Sequence, residues 1–480
     1  MTTSTFIISQ KAYTPKKNDF LVLPFIDATT PAFDWAMLPR GLTKIAAPKK
    51  RGAFRLVQLH ADSKLPYAVA VCRLDSRESD MLRQAKTMVT RAQKEADQIG
   101  MKRVVIPIDG NHSALCGAVQ EGALLGGYIF DRYLSKKSKP MSVMLQSDIQ
   151  KTKLHRGKVV AECVNFARDV LNEPPVEIHP ESLADAFKTF GTEKGLNVEV
   201  WNEKKLAREN CGGILAVGGG AASKPRLVWG TYTPENAAVH LALVGKGVTF
   251  DSGGYSLKPP KSMTEMKFDM GGAAMMFGAA AAIAALRLPI RVSVLTPLAH
   301  NAISRDAYNV SDVVTTRSGK SVEVQNTDAE GRIILADALT LACEQKPDYL
   351  IDSATLTGAA VVALGEDIAA VYGDDNAFVT RVLEAGKAVG EDLWPMPLHM
   401  AYDKQLDSPI ADMQNIGGGW GGSITAALFL KRFIPTGSNW IHMDIAGPGC
   451  KIDALEHLGK GAKGFGVKTI VHLAEQLCEA

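Results

Sequence analysis

Residues 244–272 read VGKGVTFDSGGYSLKPPKSMTEMKFDMGG, and they open on the tail of the apolar run LALVG. A short apolar run closed by glycine reads as a buried central strand. At its end come Lys246, then Asp251, Lys258 and Asp269, inside a glycine-rich loop. In α/β sheets, ligands sit beyond the carboxyl ends of the strands. Taken singly, each of these four residues is most simply a charge on a solvated loop. A second stretch, VQNTDAEGRIILADAL at 324–339, places Asp328 and Glu330 two apart, ahead of Gly331, Arg332 and an apolar helix. Carboxylates at that spacing in an extended turn can bridge two metal ions. They could equally be acidic residues complementing a helix dipole. That simpler reading leaves Arg332 unexplained, because a cation at a helix start is unfavourable.

Outward from these stretches, β and α patterns alternate. Val198–Trp201, Val239–Val244, Val292–Leu295, Tyr349–Ile351, Ile368–Tyr372 and Trp440–Asp444 read as strands. Ser182–Phe190, Gly272–Leu286, Ile334–Glu344, Phe378–Val389 and Ile424–Phe433 read as helices. Alternation of this kind implies a largely parallel sheet flanked by helices. Upstream, Phe20–Ile26 and Arg103–Ile108 read as strands and Ser79–Gln98 as a helix. The fold class expected is α/β: a smaller N-terminal α/β domain, then a larger C-terminal catalytic domain with a central, mostly parallel sheet. The boundaries expected are 1–150 for the first, 151–172 for a connecting helix and 173–480 for the second. Pro174-Pro175 stop the connecting helix, since the residue before a proline is pushed out of the helical region. LSKKSKP at 134–140 reads as linker, and charge shifts nearby: residues 1–150 carry a net +9, the remainder a net −6.

Composition narrows the function. Apolar residues are 46% and charged residues 22%, so the chain can bury a large core and is not disordered. The overall charge of +3 is too balanced for a dedicated nucleic-acid binder. The 7 cysteines are scattered without a C-x-x-C pair, which argues against disulfides and a thiolate zinc site and for a reducing compartment. The first residues lack the apolar core of a signal peptide, so a cytoplasmic location is expected. Met270–Leu286, 17 residues rich in Ala and Gly, reads as a core helix and not a membrane span. H-E-x-x-H, G-x-S-x-G and a complete phosphate loop are all absent.

Val244–Gly254, Ser256–Pro259, Phe268–Met270 and above all Asn326–Arg332 resemble the signatures of the leucyl aminopeptidases, the cytosol aminopeptidase family. Residues 167–184, 353–365 and 421–433 fit as well, so the resemblance covers about 167–480. It implies a two-metal site of Lys246, Asp251, Asp269, Asp328 and Glu330, with Lys258 and Arg332 as the catalytic pair. It implies Zn²⁺ or Mn²⁺, with Mg²⁺ or Co²⁺ allowed in an exchangeable site. It also implies a bicarbonate-like anion held by Arg332 and Leu356, and a shallow apolar pocket for leucine-like first residues built from Met266, Asn326, Thr355, Gly358 and Ala446. The substrates implied are peptides with a free N-terminus. The assembly implied is a homohexamer, a dimer of trimers, with the first domain serving oligomerisation or regulation. Tyr255 stands where the family usually has a smaller aliphatic residue, which bears on packing near Lys258. Two other readings were weighed. A two-metal phosphoesterase would prefer histidine ligands, and none lie near these carboxylates in the sequence. An added DNA-binding or chaperone-like role is permitted by the basic first domain but supported by no base-reading motif. No membrane partner is expected.

Overall fold

The computed structural model describes residues 4–11, 13, 16, 18–27, 29–34, 45–57, 68–75, 77–450 and 457–479. Two compact units emerge: one runs up to Asn165 and takes back residues 457–461, and the other begins at Phe166. The first unit therefore extends beyond residue 150, into the helix His155–Asn172.

The first unit holds a six-stranded sheet of β1 (Thr5–Ser9), β2 (Asp19–Phe25), β3 (Phe54–Val57), β4 (Ala68–Arg73), β5 (Arg103–Pro107) and β6 (Ser142–Gln146). Their spatial order is β1-β6-β5-β2-β4-β3. Every neighbour pair is parallel except β3 with β4. β2 reads DFLVLPF and is buried along its whole length. Phe20 and Val22 face one apolar cluster while Leu21 and Leu23 face another, which is why the strand shows no polar alternation. The basic stretch 134–140 is not an interdomain linker. It is a loop within this unit that leads into β6, and Lys137 Nζ donates to the Asp131 carbonyl at 2.8 Å.

The second unit is built on a nine-stranded sheet. Its strands are β7 (Asn197–Trp201), β8 (Arg226–Tyr232), β9 (His240–Gly245), β10 (Gly247–Asp251) and β11 (Arg291–Asn301), and four that come later in the chain. Before those four, β12 (Val313–Thr315) and β13 (Ser321–Glu323) begin a small separate sheet. The main sheet then resumes with β14 (Tyr349–Ala354), β15 (Ile368–Gly373) and β16 (Asp392–Pro395). β17 (Met413–Gln414) joins the small sheet, and β18 (Trp440–Asp444) completes the large one. The order is β16-β15-β18-β14-β9-β11-β8-β7, with β10 alongside β11. The centre, β18-β14-β9-β11, is parallel throughout. Antiparallel pairs occur only toward the edges, at β11–β8, β8–β7 and β18–β15.

One irregularity positions the site. β11 is 11 residues long, and its first half pairs with β9 while its second half pairs with β10. The chain therefore leaves the sheet for a single residue, Lys246, and rejoins it up to Asp251. The helix Gly271–Ala285 lies against this break and is buried on every side. Its approach depends on missing side chains: a methyl at Gly272 would lie 2.0 Å from the Ser353 carbonyl oxygen, and one at Gly245 2.5 Å from the Gly272 oxygen. The stretch Met266–Ala285 is apolar enough to cross a membrane, but 94% of its most apolar window is buried in the unit.

The helix Glu330–Glu344 packs on the sheet through Ile333, Ile334, Leu335 and Leu339, all buried. Its Asp337 accepts the N–H groups of Ile214 at 2.9 Å and Arg317 at 2.7 Å, and so ties the first turn of the helix Gly212–Gly218 and the β12–β13 turn to this helix. Burial pushes this carboxyl up to about 7. Asp337→Ala would orphan both donors, at a cost of about 1–3 kcal/mol for the buried one. A melting temperature lower by roughly 2–8 °C is expected by calorimetry, with metal binding unchanged; an unchanged melting temperature would show that these bonds contribute nothing net.

Candidate metal centre and active site

The four central strand ends deliver the site. Lys246 follows β9, Asp251 ends β10, Thr355 follows β14 and Asp444 ends β18. The stretch expected as one glycine-rich loop is partly regular: Asp251 belongs to a strand, and Asp269 closes a 3₁₀ turn, Met266–Phe268, just before the buried helix. Gly253 and Gly254 then reverse the chain at φ of 84° and 61°, backbone positions that favour glycine. Asp328 and Glu330 flank the start of the helix Glu330–Glu344, with Glu330 its first residue.

The structure brings all five expected metal ligands and Lys258 together. Lys246 Nζ lies 2.7 Å from Asp269 Oδ1 and 2.9 Å from Glu330 Oε1. Lys258 Nζ lies 2.9 Å from Asp251 Oδ2 and 2.6 Å from Asp328 Oδ1. Oxygens of Asp251, Asp328 and Glu330 all fall within 4.8 Å of one another. Glu330 therefore belongs to both halves of the cluster.

Four carboxylates face two ammonium groups here, so the site is short of positive charge. The titration behaviour reflects this. Burial, then the neighbouring Asp251, pushes Asp328 up to about 6 and raises Glu330 as well. Burial holds Asp269 well above the usual carboxylate range even with Lys246 against it. Burial pulls both lysines down, but the surrounding carboxylates outweigh it and hold each ammonium above its ordinary value. Two buried carboxylate oxygens, Asp269 Oδ2 and Glu330 Oε2, have no hydrogen-bond partner among the described residues. Oxygen donors and one amine, with positive charge lacking, suit a hard or borderline divalent cation, and no thiolate is needed. The residues present fit such an ion.

Residues outside the expected set hold the donors in place. Asn301 Nδ2 donates to Asp251 Oδ1 at 2.8 Å and to the Thr327 carbonyl at 2.9 Å. Tyr308 donates to that same carbonyl at 2.8 Å. The Thr327 hydroxyl donates to the Gly253 carbonyl at 2.6 Å, tying the two signature loops together. Asn415 Nδ2 donates to the Asn326 carbonyl at 2.6 Å, and its Oδ1 accepts Gln325 N–H at 2.8 Å. Sequence reasoning missed Asn301, Tyr308 and Asn415 because each is an isolated polar residue with no motif, whereas Thr327 stands inside the Asn326–Arg332 stretch and suggested no role of its own. A signal lay only in Asn301, a polar end to the long apolar run of β11.

The other expected residues fall as follows. Arg332 is buried; Nη1 donates to the Asn415 carbonyl at 2.8 Å, while Nε has no partner among the described residues. Burial pulls its guanidinium down to about 10 against the opposing pull of Glu330 and Asp444. Leu356, expected beside an anion, donates its N–H to Asp444 Oδ1 at 3.1 Å. Asn326 Oδ1 accepts Asp328 N–H at 2.8 Å and so shapes its own loop. Thr355 donates its hydroxyl to Asp269 Oδ1 at 2.8 Å, and its carbonyl accepts from Lys246 at 3.0 Å. Met266 starts the 3₁₀ turn, and Ala446 starts the helix Ala446–Cys450. Gly358 borders open space. Tyr255 is half exposed and donates to the Ser304 carbonyl at 2.8 Å, away from Lys258.

This fold and donor set define an α/β protein with a buried carboxylate cluster suited to divalent cations. The family model described as cytosol aminopeptidase family, catalytic domain, matches residues 165–471. A probable cytosol aminopeptidase of Streptomyces avermitilis is 40% identical over 98% of this chain and 95% of its own. One from Leifsonia xyli is 41% identical over 88% of each chain. Among solved structures, the bottromycin maturation enzyme BotP in complex with Mn is 31% identical, with a TM-score of 0.85 over 96% of this chain and 100% of that one. The chain belongs to the cytosol aminopeptidase family, and with that membership it is a metal-dependent aminopeptidase.

Gly331 separates Glu330 from Arg332, and a methyl there would lie 2.5 Å from Lys246 Cε and 2.8 Å from its Nζ. Gly331→Ala should push Lys246 out of its place between Asp269 and Glu330. Metal affinity and turnover should fall roughly tenfold or more, with little change in melting temperature. Unaltered metal binding and turnover would show that this placement of Lys246 is not required.

Proposed function

We propose that the chain releases N-terminal amino acids, leucine and similar apolar residues first among them, through a site holding two divalent cations. The observation that carries this reading is Glu330, which stands between the Lys246/Asp269 pair and the Asp251/Asp328 pair. Lys246, Asp269 and Glu330 would hold one ion; Asp251, Asp328 and Glu330 would hold the other. When bound, such ions polarise a carbonyl and lower the pKa of water. BotP, whose structure carries Mn, favours Mn²⁺, and the donor set accepts Zn²⁺ equally.

The chain's own residues then divide the work. Lys246 can donate to an ion only as the neutral amine. Deprotonating it at pH 7 costs about 5 kcal/mol from its unperturbed pKa, so it is useful as a ligand only where the metal bond offsets that cost. Lys258 has the opposite task. The carboxylates around it keep it charged, and a fixed ammonium stabilises the oxyanion that develops on the scissile carbonyl. Arg332, buried and with no partner for its Nε–H among the described residues, would hold a bicarbonate-like anion, which when bound would supply a proton shuttle. Met266, Thr355, Gly358 and Ala446 would line the pocket of the first side chain, with Asn326 beside it. The open space at Gly358 leaves room for a branched aliphatic group. An apolar pocket separates substrates differing by one methylene by only about 1–3 kcal/mol, so preference and not exclusivity is expected. A homohexamer in the cytoplasm is part of the same reading.

The substrate's α-amino group must reach an ion as the free amine. Leucine amide and its N-acetyl form distinguish this directly. Turnover of the first and none of the second is expected; equal rates would sink the exopeptidase reading.

A further inference from the structure

Asp444 does more for the site than the signature residues reveal. It ends β18 beside Ala354 of β14, and it is 1% exposed. Its Oδ1 accepts the N–H groups of Leu356 at 3.1 Å, Ala446 at 3.2 Å and Thr357 at 3.4 Å. Its Oδ2 accepts the hydroxyls of Thr357 at 2.6 Å and Ser423 at 3.4 Å. One buried carboxylate thus ties down the turn after β14, the start of the helix Ala446–Cys450 and the start of the helix Gly422–Lys431. Thr357 in turn caps the helix Gly358–Leu364 through Ala360 N–H at 3.1 Å.

The turn held in this way is the one that touches the metal ligands. Thr355, one residue before Leu356, receives Lys246 on its carbonyl and gives its hydroxyl to Asp269. The path from Asp444 to both ligands is therefore one hydrogen bond, one peptide unit and a second hydrogen bond. Asp444 is itself braced from behind. Tyr372 donates to Ser423 Oγ at 2.7 Å, and its ring stacks on His442 with centroids 5.9 Å apart. His442 and Trp440, on the same strand as Asp444, are both fixed by Asp352, at 2.6 and 2.7 Å. A buried carboxylate is costly to desolvate, and five donors on Asp444 go far to offset that cost. A residue needed only to end a strand would carry no such requirement.

We propose that Asp444 is a positioning residue for the Lys246/Asp269 half of the metal centre, acting through the 355–357 turn. The inference rests on the metal reading above. An asparagine in its place keeps the shape but must turn an N–H₂ toward groups that now donate. Partners that orient metal ligands typically change metal affinity or activity by about 10–100-fold when removed.

The test uses the full chain, stripped with chelator and titrated with Mn²⁺ by calorimetry, alongside kcat/KM on leucine p-nitroanilide and melting temperature. Asp444→Asn should weaken Mn²⁺ binding at one site by roughly 10–100-fold and lower kcat/KM with a small thermal shift. Thr357→Val should act in the same direction, and Thr357→Ser, which keeps the hydroxyl, should bind as the unmodified chain does. If Asp444→Asn does not fold, the Thr357 pair decides. Mn²⁺ affinity within about twofold of the unmodified chain in both Asp444→Asn and Thr357→Val would overturn the proposal, as would equal losses in Thr357→Val and Thr357→Ser. An unmodified chain that binds Mn²⁺ but leaves the leucine substrate intact would sink the proposed activity, while the affinity comparison would still decide the role of Asp444.

Discussion

Four carboxylates share one largely buried space with only two ammonium groups, and the rest of the catalytic unit is arranged to tolerate that imbalance. Taking a carboxylate out of water costs several kcal/mol unless it is paired and hydrogen-bonded. Asp251, Asp269 and Glu330 are all at least 96% buried. Removing any cation from such a group leaves the others raised in pKa, as Asp328, Glu330 and Asp269 already are. Asp269 Oδ2 and Glu330 Oε2, which have no partner among the described residues, mark where more positive charge belongs.

The sheet supplies the geometry that holds this charge. Because β11 spans both β9 and β10, the backbone at Lys246 is held between two strand segments. Gly331 lets one backbone approach the Lys246 side chain, while Gly245 and Gly272 let the neighbouring backbones close on one another. Around that centre, polar side chains from distant segments, the amides of Asn301 and Asn415, the hydroxyl of Thr327 and the carboxylate of Asp444, hold the loops in place. Packing of this kind is local in space but scattered in sequence.

That scatter explains what the sequence could and could not disclose. The charged candidates were legible because they cluster in two short stretches beside apolar runs, but their assignment as one set of metal ligands came only from the family resemblance of those stretches. Trp440–Asp444 was placed to the residue as a strand. The central helices were found, with the ends at Glu344 and Val389 exact and others off by one to four residues, since helix starts at Gly422 and Glu330 carry no side-chain cap. β8 went unread because RLVWGTY has a glycine in its middle, and that glycine is where Val294 presses against the strand. β10 went unread because GVTFD is mostly glycine and polar residues and looked like loop. The linker reading of 134–140 failed because lysines suit a surface loop as well as a domain junction. Asp444 and Asn415 had no motif, and Asn301 offered only a polar end to β11; the folded contacts reveal their roles.

Everything above turns on the claim that this acidic cluster exists to hold divalent cations. The direct measurement is calorimetric titration of the chelator-stripped chain with Mn²⁺, followed by turnover of leucine amide at each occupancy. Saturation at two ions per chain is expected, with turnover appearing as the sites fill. Saturable binding of no ion, or full turnover by the stripped chain, would contradict the claim.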